Sequence, residues 1–278
     1  KAGIDVDDVI VSVNGKSIAG ESSDLSTAKI KGAAGTEVTL GVRRPSTGKT
    51  RRLKIERQEI STPVVESSVR RVAGDRVGYV RLTGFSEGAH EALRTAVTRL
   101  EHRRAQGIVL DLRGNPGGLL TEAVSTASVF LPKDEKVVTT DSRTEGRRIY
   151  HAAGDPVARR PIVVLIDRGT ASAAEILASA LADHEGLAVV VGTRSFGKGL
   201  FQNVLDLSNG GELDLTVGEF LTADGISLAP KGIQPDVFAK DRPGTKADEA
   251  LQRALAVLVD QVGAQQSGTQ PGGGRSSG

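Results

Sequence analysis

The chain has 278 residues, 36 Lys and Arg against 34 Asp and Glu, a net charge of +2 and no cysteine. That length fits two compact units, the near-neutral balance supplies no field for nucleic acid or membrane, and the missing thiols exclude disulfides, thiolate nucleophiles and cysteine-built zinc sites. No apolar run reaches the ~18 residues of a membrane span, and a first residue that is Lys1 rather than Met reads as a fragment or processed form, leaving room upstream for an export signal or anchor.

Val9-Ile-Val-Ser-Val13 is β-branched and apolar and runs into Asn14-Gly15, the pattern of a strand and a tight turn. A short helical stretch is expected at 25–30. Val38-Thr-Leu-Gly-Val-Arg43 and Arg51-Arg-Leu-Lys-Ile-Glu56 then read as hairpin partners, so residues 1–60 form a small, mostly β module. The Ser-Thr-Pro stretch that follows marks a boundary, and 61–76 reads as a connection. From Gly78 the pattern changes. A strand at 78–82 precedes a helix at 88–104 with Ala89, Leu93, Ala96, Val97 and Leu100 on one face. Ile108-Val-Leu-Asp-Leu112 and Ile162-Val-Val-Leu-Ile166 read as buried strands, with a helix at 122–130 and a hairpin at 136–140 and 147–151 between them. A helix at 172–183, a strand at 187–191 and two β segments near Leu205 and at 211–221 complete a core over 77–240. Strands alternating with helices predict a mixed α/β fold (α+β) with layered sheets. A C-terminal helix is assigned to 241–263, and 264–278, mostly Gly, Ser, Gln and Pro, is expected to be disordered.

Three segments carry candidate chemistry. Ser172-Ala-Ala-Glu175 opens a helix and fits a capping box, yet the same position sets a hydroxyl at the positive end of a helix, where free amides favour an oxyanion. A serine needs a base. His184, twelve residues along the same predicted helix, is about 18 Å away, and His90, His102 and His151 show no triad spacing and no paired metal-ligand spacing. A lysine serves as base when burial favours its neutral form. Lys198, in Ser195-Phe-Gly-Lys-Gly-Leu-Phe-Gln202, reads most simply as a solvated turn residue, but it follows a buried strand, where α/β domains gather active groups. Gln202 is a candidate to hold its amine. Gly117 and Gly118, in Leu110-Asp-Leu-Arg-Gly-Asn-Pro-Gly-Gly-Leu119, fit either a plain turn or, with the amide of Ala173, an oxyanion hole.

The segments 110–120, 169–176 and 192–202, in that order, resemble the C-terminal processing (tail-specific) peptidases. Tyr79-Val-Arg-Leu-Thr-Gly-Phe-Ser86 and Thr222-Ala-Asp-Gly-Ile-Ser-Leu-Ala-Pro-Lys-Gly-Ile-Gln-Pro-Asp236 add to the likeness, which runs from Ala2 to about Val257. The resemblance implies a serine and lysine dyad without cofactor or metal, in a core related to crotonases and Clp-type proteases. It assigns Ser172 as nucleophile, Lys198 as base and Gln202 as the lysine's partner. Thr170 and Ala174 replace the outer serines of the family's Ser-Ala-Ser-Ala-Ser-Glu run, and one extra residue is expected within Glu185-Gly186-Leu187. Ala2-Gly-Ile-Asp-Val-Asp-Asp-Val-Ile-Val-Ser-Val-Asn-Gly15 resembles the middle of a PDZ domain, a fold that captures a peptide's C-terminus with a carboxylate-binding loop that would lie upstream of Ala2. Implied partners are proteins or peptides with unstructured C-termini, cut near that end; self-association is left open, membrane contact would come only through an upstream segment, and the location is exported or at the cell envelope.

Two other readings compete. One is a peptide-binding scaffold of the same fold without turnover. The other is a nucleotide phosphohydrolase, since Gly192-Thr-Arg-Ser-Phe-Gly-Lys198 copies a phosphate loop; Gly199 in place of Ser or Thr, and a strand where a helix is required, oppose it. Ser195-x-x-Lys198 also imitates a penicillin-binding dyad, again without the helix.

Overall fold

A computed structural model describes residues 3–5, 7–20, 26, 29–58, 63–158, 160–184, 187–206 and 211–267, the side chains of 203, 204, 206, 212 and 214 excepted. The chain divides into two compact units, Lys1–Thr62 and Pro63–Gly278. In the first, β1 (Val9–Val13), β2 (Lys16–Ser17), β3 (Glu37–Arg43) and β4 (Thr50–Glu56) form an antiparallel sheet in the order β2-β1-β3-β4. Alternation places Val38, Leu40 and Val42 with Val13 in a small core. Residues 25, 27 and 28 of the helix expected at 25–30 lie outside the described residues.

The second unit is built on a six-stranded sheet, β14-β11-β10-β7-β6-β5. Its strands are β5 (Val65–Val72), β6 (Asp75–Leu82), β7 (Ile108–Asp111), β10 (Ile162–Ile166), β11 (Ala188–Gly192) and β14 (Val237–Phe238). All neighbours are parallel except the β5–β6 hairpin. Both faces are covered, which explains the unbroken apolar runs of β7 and β10. Ile108, Leu110, Ile162, Val164 and Ile166 face a large core with α1 (Ala89–His102), α2 (Leu120–Ala127) and α3 (Ala173–Asp183). Val109, Val163, Leu165 and Val191 face the other way, against Leu251, Ala254 and Leu258 of α4 (Glu249–Gln266). An antiparallel sheet of β8 (Lys136–Ser142), β9 (Gly146–His151), β12 (Leu200–Asp206) and β13 (Glu212–Leu221), in the order β12-β13-β8-β9, completes a mixed α/β architecture.

Three boundaries differ from expectation, the first being the helix expected at 122–130, which runs over Leu120–Ala127. The stretch 61–76 is not only a connection: Val65–Val72 is a full strand paired with β6. It is an edge strand with Glu66, Ser68, Arg70 and Arg71 exposed, and with so few apolar residues it lacks the unbroken run that marks β7 and β10. The C-terminal helix, assigned to 241–263, begins at Glu249 under the Asp248 N-cap and continues to Gln266, three residues into the stretch expected to be disordered; residues 268–278 lie outside the described ones.

Candidate active site

The three candidate segments leave the carboxyl ends of three adjacent parallel strands. β7 ends at Asp111 and leads to Gly117 and Gly118; β10 ends at Ile166 and leads to Ser172; β11 ends at Gly192 and leads to Lys198. Parallel neighbours share one carboxyl edge, so three loops distant in sequence meet there. The first two are cross-braced. Gly114 N–H donates to Asp167 Oδ1 at 2.9 Å, the Thr170 hydroxyl to Leu112 O at 2.8 Å, and Ala171 N–H to Asn115 O at 2.9 Å.

Ser172 occupies the N-cap of α3 with φ 54° and ψ −121°. A non-glycine residue in that region is strained, and such outliers concentrate where a side chain must be held at an exact angle. Gly117 packs directly on it: at φ 98°, a Cβ there would lie 2.8 Å from each of Ser172 Cβ, Ala173 N and Ala171 O, so only glycine fits. The fully buried Asn115 holds this loop, donating to Leu82 O at 2.8 Å and accepting from Gly117 N–H at 2.9 Å. Of the three amides expected to form an oxyanion hole, that of Gly117 is therefore committed to Asn115. Those of Gly118 and Ala173 have no acceptor among the described residues; Ala173 opens α3, where N–H groups lack intrahelical partners.

The lysine loop is tied to the same place. Phe196 N–H donates to Thr170 O at 2.9 Å. Glu175, fully buried, accepts from Ser172 N–H and Lys198 N–H, both on Oε2 at 2.9 Å, from Gly197 N–H on Oε1 at 2.7 Å, and from the Ser195 hydroxyl. The Ser172-x-x-Glu175 spacing pointed to a local cap, and the cap bond exists. The three further donors come from residues 195–198, which spacing within one helix cannot reveal. Glu175 and Asn115 are the residues that sequence reasoning passed over.

The side chains are less assembled than the backbone. Lys198 is exposed, and among the described residues no hydrogen bond joins it to Ser172. Gln202, on the outer strand β12 opposite Thr216, is also exposed and bonds neither of them among the described residues. Three of the four histidines are occupied elsewhere, His90 with Glu122, His151 with Asp134 O, and His184, the C-cap of α3, with Glu135, and His102 sits in the last turn of α1. Lys198 is followed by strand β12 rather than a helix, against a phosphate loop. The Ser195 hydroxyl is buried, donating to Glu175 and accepting from Ile233 N–H, so it is not an available nucleophile. Among the described residues no group of three or more His, Asp or Glu is placed to hold a metal ion.

Beside the glycine loop lies a charge network. Arg113 makes paired hydrogen bonds to the buried Asp111 and to Asp248, and Tyr79 Oη donates to Asp111 Oδ2 at 2.9 Å. Burial, reinforced by the Asp111 carboxylate, pushes the Tyr79 phenol up to about 12. Burial acts to raise the Asp248 carboxyl, but the Arg113 guanidinium and the Leu251 N–H outweigh it and hold the group below its ordinary range. The network anchors the start of α4 to the strand that carries the glycine loop.

The chain is 36% identical over 260 residues to the carboxy-terminal processing protease CtpB of Bacillus subtilis, covering 94% of this chain and 54% of that protein. It is 36% identical over 271 residues to the carboxyl-terminal-processing protease of a Picosynechococcus species, covering 95% and 65%. The chain thus spans between half and two thirds of the length of these relatives. Among solved structures, a photosystem II D1 C-terminal processing protease superposes with a TM-score of 0.62 at 33% identity, over 92% of this chain and 68% of that one. Residues 76–239, from the start of β6 to just past β14 and including all three loops of the site, match the family model described as Peptidase family S41, and the chain belongs to that family.

Proposed function

We propose that the chain is a serine endopeptidase that cuts protein substrates near their C-terminus through an acyl-enzyme. Ser172 attacks the scissile carbonyl while Lys198, as a neutral amine, takes the hydroxyl proton. Negative charge on the tetrahedral oxygen is received by the amides of Gly118 and Ala173, and Lys198 returns the proton to the leaving amine. Water then attacks the acyl-enzyme and releases Ser172. Gln202 is assigned to hold the lysine amine once a peptide lies over β12, and a covered amine favours its uncharged form. The observation that carries this reading is the strained Ser172 at a helix start, packed on Gly117, with two uncommitted amides beside it. No cofactor or metal enters this scheme. The first unit is assigned as part of a PDZ-like module, and the location as exported or at the cell envelope.

Ser172→Ala and Lys198→Ala are each expected to lower kcat on an unstructured protein by about three or more orders of magnitude, since nucleophile and base act as a unit. Parent-rate cleavage by either variant would refute the assignment.

The exposed Lys198 also favours a second reading, a scaffold of this fold that binds peptides without turnover. A serine-directed fluorophosphonate separates the two: labelling that Ser172→Ala abolishes supports the enzyme, and an unlabelled parent supports the scaffold.

A further inference from the structure

Glu175 lies within one helical turn of Ser172, and a helix cap alone would account for its bond to the Ser172 N–H. It does not account for the other three. A carboxylate offers about four acceptor directions, and here all are taken, by donors from two loops that leave different strands. Because Ser172 N–H and Lys198 N–H share Oε2, their nitrogens are held within about 6 Å of each other, twice one hydrogen-bond length. The other oxygen is locked in turn. The buried Ser195 hydroxyl donates to Oε1 and accepts from Ile233 N–H at 2.7 Å, and Gly197 is so close to Pro230 O that a Cβ would lie 2.4 Å from it.

We infer that Glu175 and Ser195 are positioning residues for the proposed peptidase chemistry: Glu175 sets the distance between the nucleophile's backbone and the lysine's, and Ser195 fixes Glu175 in the orientation that does so. The inference rests on the peptidase reading. It explains how Lys198 is exposed in a site whose backbone is already assembled. Bringing the amine to Ser172 then needs a change of side-chain torsions and no movement of the loop.

The chemistry of the carboxylate makes this testable. Glutamine keeps the shape of Glu175 but has one acceptor oxygen and a donating NH2, so it cannot accept from Ser172 and Lys198 on one side and from Gly197 on the other. In the full chain, Glu175→Gln is expected to melt cooperatively but at a lower temperature than the parent, because buried donors lose their acceptor, and to keep KM on fluorescent casein within about twofold. Its kcat and its rate of Ser172 labelling by a fluorophosphonate should both fall by about 100-fold, as for other losses of preorganised geometry. Ser195→Ala is expected to lower kcat by about tenfold at unchanged KM, and the double variant to be no slower than Glu175→Gln alone, because Ser195 acts through Glu175.

Parent-like kcat in a folded Glu175→Gln chain, a loss confined to KM, or a double variant showing the product of the two losses would overturn the inference. Should Glu175→Gln not fold, Ser195→Ala decides alone, and parent-like turnover in it counts against the proposal. Ser172→Ala is the control that keeps the two readings apart. If it is as active as the parent, or the parent is inactive, the peptidase reading fails and takes this one with it; a Ser172-dependent parent beside an indifferent Glu175→Gln sinks this one only.

Discussion

Gly117 has no room for a side chain because the nucleophile's own backbone fills it. The atoms a Cβ would meet at 2.8 Å are Ala171 O, Ala173 N and Ser172 Cβ, and none can rotate away as the end of a flexible side chain could. Gly117→Ala therefore combines strain of about 1–3 kcal/mol at φ 98° with displacement of Ser172. We expect a lower melting temperature and a kcat reduced by about 100-fold, since a shift of about 1 Å in a reacting group costs that much. Parent-like turnover on the same casein substrate would show that the glycine loop does not hold the serine. The residue types of this loop were legible from sequence, but the choice among its amides was not. Gly117 and Gly118 are equivalent as letters, and only the Asn115 carboxamide, reaching from a fully buried position, separates them.

Helices in this chain owe their placement to other elements as much as to their own residues. α1 has Gly88 at its N-cap and no side-chain cap of its own; its Gly88 and His90 N–H groups donate instead to Glu122 of α2, at 3.0 and 2.9 Å. Burial acts to raise the Glu122 carboxyl, but the backbone N–H and ring of His90 and the Gly88 N–H outweigh it and lower it below its ordinary 4.5. A lowered carboxyl contributes stability that is complete above its unfolded value and is lost as pH falls through the folded one. Melting temperature should therefore drop as pH is taken below about 4.5. Glu122→Gln should be less stable at neutral pH and lose less on acidification; an unchanged slope in melts from pH 7 to 3 would count against this account. On the opposite face of the sheet, Leu258 is fully buried, and its side chain fills the space a Cβ on Gly107 would enter. Leu258→Ala should cost about 2–5 kcal/mol in urea unfolding, and a loss under about 1 kcal/mol would mean that α4 contributes little to the core.

At the scale of the whole molecule, the two units have separate cores and unequal means of support. Among the described residues, the first has four buried apolar ones in its core, Val13, Val38, Leu40 and Val42. Domains the size of Lys1–Thr62 bury a smaller fraction of their surface than larger ones and are marginal. The second has two apolar layers on either side of one sheet. A chain of residues 63–278 is therefore expected to fold alone with a cooperative thermal transition, and residues 1–62 alone to melt at a lower temperature. A 63–278 chain lacking a cooperative melt by circular dichroism would show that its two layers are insufficient.

What the sequence by itself determined is the set of elements and the order of the chemical segments. Ile162–Ile166 was legible to the residue because all five side chains are buried, and α1 because its five apolar positions repeat at the helical period. β5 escaped because an edge strand is under no demand to be apolar on its open side. The tertiary structure alone decided that β7, β10 and β11 are neighbours, and with them which amides are committed and which carboxylate bridges serine to lysine. The strand order and the bonds from residues 195–198 to Glu175 join parts far apart in the chain, and even the local Gly117–Asn115 bond depends on Asn115 being held by Leu82 O; periodicity reports only which face of its own element a residue occupies.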